Sequence, residues 1–423
     1  MNNWNFYYNL SYLYFLSKFY NIEQLGAIIK KVLILGGPVF IKIGQNLSQK
    51  EYLSEDLKQH LIELRDENFS NIDLSKLKIN NLQLNLKPIA AGCVAQVYTG
   101  YYKNEKIILK ILHDDIKNKI NNSIALFEEL KLRLGNSHQF IRLFNDIVNL
   151  NDLYHDILEQ SDLNNEVRNL MIFKNNFKDF HNIVFPNVIK HDNDFIIETF
   201  EEGYFLDEFY QYCKNNNCMH YMEELLALIN CLYYKMIFDN HIHTDLHFSN
   251  FKIRIENNKV VLIVLDHGLI HHIPNKKDLK TFLALFKKNM FVLDLTLWAD
   301  VILHFAFDND KINEEKFKQD VEDVFEKHKV RYYQERLMNN QETNYDEMSS
   351  YKVIIEELTT VLINNNIKLP AFFLSIQNGF ILLDDVNGNY LRKGGMSRFI
   401  YNYAKNNGYL DDIKQSYKNN FVN

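Results

Sequence analysis

The segment His243-Thr244-Asp245-Leu246-His247-Phe248-Ser249-Asn250 sets one aspartate shortly before an asparagine, and a second acidic group follows in Asp266-His267-Gly268. Between them lie two β-rich runs over Phe251 to Leu265, split by Glu256-Asn257-Asn258, the second ending in the apolar Val260 to Leu265. Phosphoryl transfer calls for such a set. One carboxylate, Asp245, stands beside the attacking hydroxyl, while Asn250 and Asp266 hold magnesium against the phosphates. Magnesium is a hard cation that takes oxygen ligands and keeps several of its waters. A strand ending just before Asp266 would hold that ligand rigidly. Either motif alone reads as an ordinary loop Asp or a helix-capping Asn; the two in this order and spacing favour the metal-binding reading.

A cation for the phosphates lies upstream. Lys110 sits within Ile107-Ile108-Leu109-Lys110-Ile111-Leu112, and a lysine among apolar neighbours on a half-buried strand needs an anionic partner, because an unpaired buried charge is costly. In a kinase-like site those partners are the α- and β-phosphates and a helix glutamate. The plain alternative is an edge-strand lysine that snorkels to water. Ahead of it runs Pro88-Ile89-Ala90-Ala91-Gly92-Cys93-Val94-Ala95-Gln96-Val97, whose small residues let backbone N–H groups approach a phosphate, although no GxGxxG is present.

The elements that position these residues follow from periodicity. Leu25, Ile28, Ile29, Val32 and Leu33, then Leu53, Leu57, Leu61 and Leu64, recur at helical spacing, and Gly36-Gly37-Pro38 interrupts them. From Lys87 the period becomes that of strands: Val94 to Tyr102 and Lys106 to Leu112 flank a Lys103-Asn104-Glu105 turn. A helical stretch is expected from about Ile116 to Phe177, and a short strand over Phe195 to Thr199. Beyond that the chain reads as mostly helical, with Leu283 to Val292, the Trp298 region and Phe372 to Leu383 as core helix. Asn309 to Glu335 reads as an exposed amphipathic helix and Gln341 to Ser350 as a loop.

Composition bounds the function. A 423-residue chain with 47% apolar residues is large enough for one two-lobed domain or two smaller ones. Its net charge of −7 argues against a nucleic-acid binder. Cys93, Cys213, Cys218 and Cys231 form no CxxC pair or zinc spacing, so reduced thiols in a reducing compartment are expected. There is neither a secretory h-region nor a run of 18 apolar residues. The aromatic-rich residues 1–20 suit either a membrane interface, where amphipathic rings collect, or packing on their own domain.

Taken together, these residues resemble the UbiB/aarF family of atypical kinases over roughly residues 35–300. Gly37 to Gln45 matches the family's KxGQ signature through Lys42, Gly44 and Gln45, the most specific single match. Ala90, Ala91, Gly92, Cys93, Val94 and Ala95 match its alanine-rich phosphate loop, with Gly92 where many members carry alanine. Glu166-Val167-Arg168-Asn169 resembles the family's ExxN, which implies that Glu166 partners Lys110. Glu198-Thr199-Phe200 falls at the adenine hinge, making Glu198 and Phe200 nucleotide contacts. The family usually has an acidic residue six positions before that glutamate; here it is Gln160, with Glu159 beside it, which implies a shifted or hydrogen-bonded Lys42. His267 replaces the Phe of DFG, and Leu246 and Phe248 replace prolines around Asp245.

The resemblance implies an α+β, two-lobed protein-kinase-like fold with a largely helical C-lobe. Its parts would be a helical extension carrying the KxGQ segment over 1–85, an N-lobe with a helical insertion over 86–200, and the C-lobe over 201–423. It implies ATP and Mg2+ as cofactors, Asp245, Lys110 and Glu166 as catalytic groups, and Asn250 and Asp266 as metal ligands. In related proteins the KxGQ segment folds over the cleft, and members are linked to isoprenoid-quinone synthesis, lipids and membranes. The implied function is an atypical kinase or ATPase acting near a lipid or quinone-synthesis partner. The competing readings are a nucleotide-binding pseudokinase scaffold and a small-molecule phosphotransferase, which shares HxDxxxxN but lacks KxGQ and ExxN. A zinc site built from His241, His243, His247, His267, His271 and His272 is disfavoured, since no Cys or HExxH pattern accompanies them.

Overall fold

The computed structural model describes residues 4–48, 53–64, 72–134, 150–244, 246–286, 291, 294–307, 312–338, 351–391 and 396–421. The expected loop over Gln341 to Ser350 lies outside the described residues, as do the start of the Asn309 to Glu335 segment and parts of Leu283 to Val292.

In chain order the helices are α1 (Trp4–Leu16), α2 (Gly26–Gly36), α3 (Pro38–Leu47), α4 (Glu55–Ile62), α5 (Ile116–Leu134), α6 (Leu150–Gln160), α7 (Leu163–Asn176), α8 (Leu206–Asn215) and α9 (His220–Phe238). They continue as α10 (Lys276–Leu283), α11 (Trp298–Phe305), α12 (Glu314–Lys327), α13 (Val330–Met338), α14 (Tyr351–Asn364), α15 (Ala371–Val386), α16 (Met396–Asn406) and α17 (Tyr409–Phe421). The strands are β1 (Leu82–Leu84), β2 (Ala90–Ala91), β3 (Ala95–Tyr102), β4 (Glu105–Leu112), β5 (Ile183–Val184), β6 (Val188–His191) and β7 (Phe195–Thr199). After them come β8 (Ile242–His243), β9 (Phe251–Glu256), β10 (Lys259–Val264) and β11 (Ile270–His271). The expected single helical stretch over 116–177 is divided: α6 ends at Gln160 and α7 starts afresh at Leu163, while 135–149 lie outside the described residues. The two-residue strands β2, β5, β8 and β11 are too short to leave a periodic signal.

The chain forms two compact units, Met1–Asn169 with Pro186–Phe200, and Leu170–Phe185 with Glu201–Asn423. In the first, an antiparallel sheet runs β1-β3-β4-β7-β6, with β2 on β3. The β3–β4 turn contains only Lys103 and Asn104, both left-handed at φ 50 and 69, while Glu105 already pairs with Tyr102. A two-residue turn with both φ positive matches strand twist, so the hairpin closes one residue tighter than expected. Along β4, Ile107, Leu109 and Ile111 are buried in one cluster with Tyr98, Phe195 and Ile197. The alternate positions, including Lys110, face the other way. That opposite side carries the larger apolar cluster, to which Ala95, Leu112 and Ile196 belong.

The N-terminal helices build that larger cluster. Gly37 adopts φ +88 and its N–H bonds to the Ile34 carbonyl, ending α2, and Pro38 opens α3, where its missing N–H costs nothing. Ser123 of α5 closes the break: its hydroxyl donates to the Gly36 carbonyl (2.6 Å) and accepts from the Val39 N–H (3.2 Å). Along α1, Phe6 is buried edge-on to Phe40 at 5.3 Å, and Tyr7, Leu10 and Leu13 pack behind it. Trp4, Tyr8, Tyr12, Phe15 and Phe19 remain exposed.

The second unit is organised on α9, buried without break from Leu225 to Phe238 and apolar on nearly all sides, as a central helix must be. The β9–β10 hairpin turns on Asn257 and Asn258, both at positive φ, and β5 runs parallel to β10. Lys235 of α9 is buried against Asp239 at 2.7 Å and Ser416 of α17 at 2.8 Å, tying the last helix to the central one. The Tyr409 ring stacks on Phe180 at 4.4 Å.

Candidate active site

Lys110 leaves β4 midway between Val97 of β3 and Ile196 of β7. Its ammonium lies 2.8 Å from both carboxylate oxygens of Glu166, in the first turn of α7. The Glu166 side chain is 4% exposed and that of Lys110 16%. Two short, charge-assisted contacts compensate the burial of both ions. The pairing inferred from the resemblance is therefore made.

The alanine-rich segment is a tight turn between β2 and β3. Gly92 N–H bonds to the Ala95 carbonyl at 3.0 Å, and Ala91, Cys93, Val94 and Ala95 are buried. His113, at the end of β4, braces this turn twice. Its main-chain N–H donates to the Val94 carbonyl and its ring Nε2 meets the Gly92 carbonyl, both at 2.9 Å. Burial lowers the pKa of His113 below its ordinary value, with the Gly92 contact opposing, so the ring is neutral at pH 7 and Nε2 carries the hydrogen that a carbonyl requires. Sequence reasoning missed His113, since a histidine at a strand end gives no periodic or motif signal.

At the end of β7, Phe200 donates its N–H to the Lys106 carbonyl (3.2 Å), and the Lys106 ammonium stands 3.8 Å from the centre of the Phe200 ring. Glu198 pairs with Ile108 within the ladder. Glu198 is thus held inside the sheet, between β4 and β6, and Phe200 at the end of the same strand.

In the second unit, the β8–β11 pairing sets His243 opposite Ile270. His243 is buried, its Nε2 hydrogen-bonded to the Asp266 carbonyl. Thr244 donates its N–H to the Leu269 carbonyl at 3.3 Å. Asn250 closes a short 3-10 turn, and its carbonyl accepts from Leu265 N–H at 2.8 Å, one residue before Asp266. Asp266 is exposed, sits at φ +54, and accepts from Gly268 N–H through Oδ1 at 3.2 Å. A left-handed aspartate is uncommon, and such conformations gather at functional sites. Asn250 and Asp266 thus come together, two oxygen donors of the type magnesium takes. Asp245 lies outside the described residues.

The KxGQ residues occupy α3. Lys42 and Gln45 are buried, and Gln45 donates through Nε2 to the Leu64 carbonyl at 2.9 Å. A Cβ on Gly44 would lie 2.5 Å from Leu64 Cδ1 and 2.7 Å from Leu33 Cδ1, so this glycine lets α3 press against α2 and the end of α4. Helix α3 also packs on α6, where Glu159 is exposed and Gln160 half-buried.

The histidines are held by rings. His241 stacks on His272 at 5.1 Å and abuts Phe173 at 5.1 Å, while His267 packs on Phe173 and Phe185. Among the described residues no cluster of three or more His, Cys, Asp or Glu could hold a metal ion. Nor, among them, is any helix long and apolar enough to cross a membrane.

The profile of the ABC1 atypical kinase-like domain matches residues 76–294, just over half of the chain. This chain belongs to the ABC1 atypical kinase-like family. Its mixed α+β architecture with an antiparallel sheet is the two-lobed, kinase-like fold expected of that family. The chain is 24% identical over 291 residues to "Probable protein kinase UbiB" of Aliivibrio fischeri (strain MJ11), covering 64% of this chain and 52% of that protein. It is 24% identical over 251 residues to "Probable serine/threonine-protein kinase abkC" of Dictyostelium discoideum, covering 55% and 35%. An "Uncharacterized protein in hydrogenase 1 5'region" of Clostridium pasteurianum is 24% identical over 366 residues, 83% of this chain and 65% of that protein. The chain spans about half the length of the UbiB relatives it matches. Among solved structures, the Rv3197–erythromycin complex of Mycobacterium tuberculosis aligns with TM-score 0.45 and 15% identity, over 73% of this chain and 77% of that one.

Proposed function

We propose that this ABC1-family protein binds ATP with Mg2+ and transfers or hydrolyses the γ-phosphate. The observation that carries the reading is the symmetric Lys110–Glu166 pair, 2.8 Å to each oxygen. An ammonium fixed in this way on a strand is aimed without further ordering and can hold the α- and β-phosphates, leaving Glu166 to orient it. Asn250 and Asp266 would ligate the magnesium through oxygen, and the metal would neutralise charge on the phosphates. Asp245 is assigned the acceptor's proton. Ala90 to Ala95 would border the phosphates, and Glu198 and Phe200 the base. The protein is proposed to act near a lipid-linked or isoprenoid-quinone-synthesis partner, as the family resemblance implies.

The test is release of radiolabelled phosphate from ATP by the purified chain, alone, with anionic liposomes, and with a phenolic quinone-precursor mimic. Turnover that needs Mg2+ and vanishes in Asp266→Asn supports the reading. Nucleotide binding with no phosphate release makes the chain a scaffold, and no nucleotide binding at all sinks the proposal.

A further inference from the structure

We propose that Cys213 and Cys218 are a modification site, a dithiol that exchanges with small disulfides of the glutathione class and closes a reversible Cys213–Cys218 bond. The geometry comes from the way α8 ends. Asn217 lies in the left-handed region at φ 53. Its N–H bonds to the Lys214 carbonyl at 3.4 Å, and the Cys218 N–H bonds to the Cys213 carbonyl at 2.9 Å. This nested pair of bonds is the Schellman ending, in which the residue after the left-handed one folds back on the last full turn and the two side chains meet. An apolar pair usually fills those two places; here both are cysteine. The Cys218 Sγ stands 3.6 Å from the Cys213 carbonyl, and the two thiols share a hydrogen bond. A disulfide needs close Cα atoms and facing side chains, and residues joined both backbone to backbone and thiol to thiol are arranged for it.

The two cysteines differ in access, and that sets the order of steps. Cys213 is buried on the inner face of α8 with Leu206 and Phe209. Its thiol is pushed up to about 12, by burial first and then by Cys218 beside it. Cys218 is half-buried and leads into α9, its carbonyl accepting from Tyr221 N–H at 3.1 Å. Cys218, as thiolate, therefore attacks one sulfur of oxidised glutathione, whose S–S bond breaks, and one glutathione leaves as thiolate and takes up a proton. Once Cys218 is a mixed disulfide it has no thiolate charge with which to oppose ionisation of Cys213. Cys213 then gives its proton to solvent and attacks the Cys218 sulfur, and the second glutathione leaves. Two electrons pass from the dithiol to the incoming disulfide, which ends as two molecules of reduced glutathione. Excess reduced glutathione runs the steps backwards, so in a reducing compartment the pair rests as thiols.

The experiment equilibrates the full chain with glutathione buffers of rising oxidised share, quenches in acid, alkylates in denaturant and maps the peptides by mass spectrometry. Cys213 and Cys218 are expected to escape alkylation together, with the mass of two hydrogens lost, while the buried Cys93 and Cys231 stay open to the label. Dithiothreitol should return both thiols. Cys213→Ala should instead keep glutathione on Cys218, and Cys218→Ala should leave Cys213 free of it. The same titration in urea separates the fold's contribution from mere closeness in sequence: the folded chain should reach half-oxidation at a glutathione ratio roughly tenfold more reducing. Both thiols still alkylated in fully oxidised buffer would overturn the proposal. So would a lasting glutathione adduct on Cys218 of the wild type, or the same half-oxidation ratio with and without urea.

Discussion

Leu265 donates its main-chain N–H to the carbonyl of Asn250 at 2.8 Å, and the next residue is Asp266. One backbone hydrogen bond thus joins the end of the His243–Asn250 segment to the end of β10, closing the hairpin that separates the two proposed metal ligands in sequence. The hairpin's length is what makes the pairing register: β9 and β10 pair from Lys259↔Glu256 to Val264↔Phe251, which brings the two ends level.

Asp266→Asn should therefore abolish chemistry without unfolding the chain. Asparagine tolerates φ +54 at least as well as aspartate, and the side chain is exposed. Magnesium-dependent ATP turnover is expected to fall by about a hundredfold or more, with the melting temperature within about 2 °C of wild type. A large drop in melting temperature would show that Asp266 is structural.

The Lys110–Glu166 pair makes a different prediction, because both partners are largely buried. Lys110→Met or Glu166→Gln alone leaves an uncompensated charge and should cost about 3–5 kcal/mol in urea unfolding. The double variant should be markedly less destabilised than the sum of the two singles, while ATP turnover stays lost. Additive stability losses would mean the pair is not coupled.

Much of this was legible in the sequence because chemistry leaves motifs. Asp266 follows an apolar strand, Lys110 interrupts another, and Glu166 stands in an ExxN pattern. What was not legible is close approach. The turn at Lys103–Asn104 was read one residue too long, since only backbone twist separates a two-residue loop from a three-residue one. The break between α6 and α7 has no Gly or Pro to announce it. His113 and Ser123 act through carbonyls of residues distant in sequence, which periodicity does not encode.

Gly44 tests what the KxGQ residues do for the fold. A methyl group there would lie 2.5 Å from Leu64 Cδ1 and 2.7 Å from Leu33 Cδ1, closer than carbons can sit, so these leucine side chains must turn aside or the helices must shift. Gly44→Ala is expected to destabilise by about 1–3 kcal/mol, partly offset by alanine's better helix propensity of about 1 kcal/mol. Unfolding in urea measures it. A stability equal to or above wild type would show that Leu33 and Leu64 repack freely, and would leave Gly44 without a packing role.

His241 gives the chain a calculable sensitivity to acid. Burial, with His272 and His243 nearby, pushes its pKa from 6.5 to about 4. The folded state therefore keeps the ring neutral where the unfolded chain has already taken up a proton. Below pH 6.5 the unfolded state binds more protons, so stability falls as pH falls, down to about pH 4, and is unaffected above 6.5. At pH 5 the difference from neutral amounts to about 2 kcal/mol from this group alone. Phenylalanine at 241 would keep the ring contacts with Phe173 and His272, at 5.1 Å each, and carries no proton. His241→Phe should accordingly match wild type near pH 8 and lose less stability between pH 6.5 and pH 5, by about 2 kcal/mol in urea titrations at the two pH values. Parallel pH profiles for the two proteins would show that His241 takes up its proton in the folded state after all, with the ring pair opening to water.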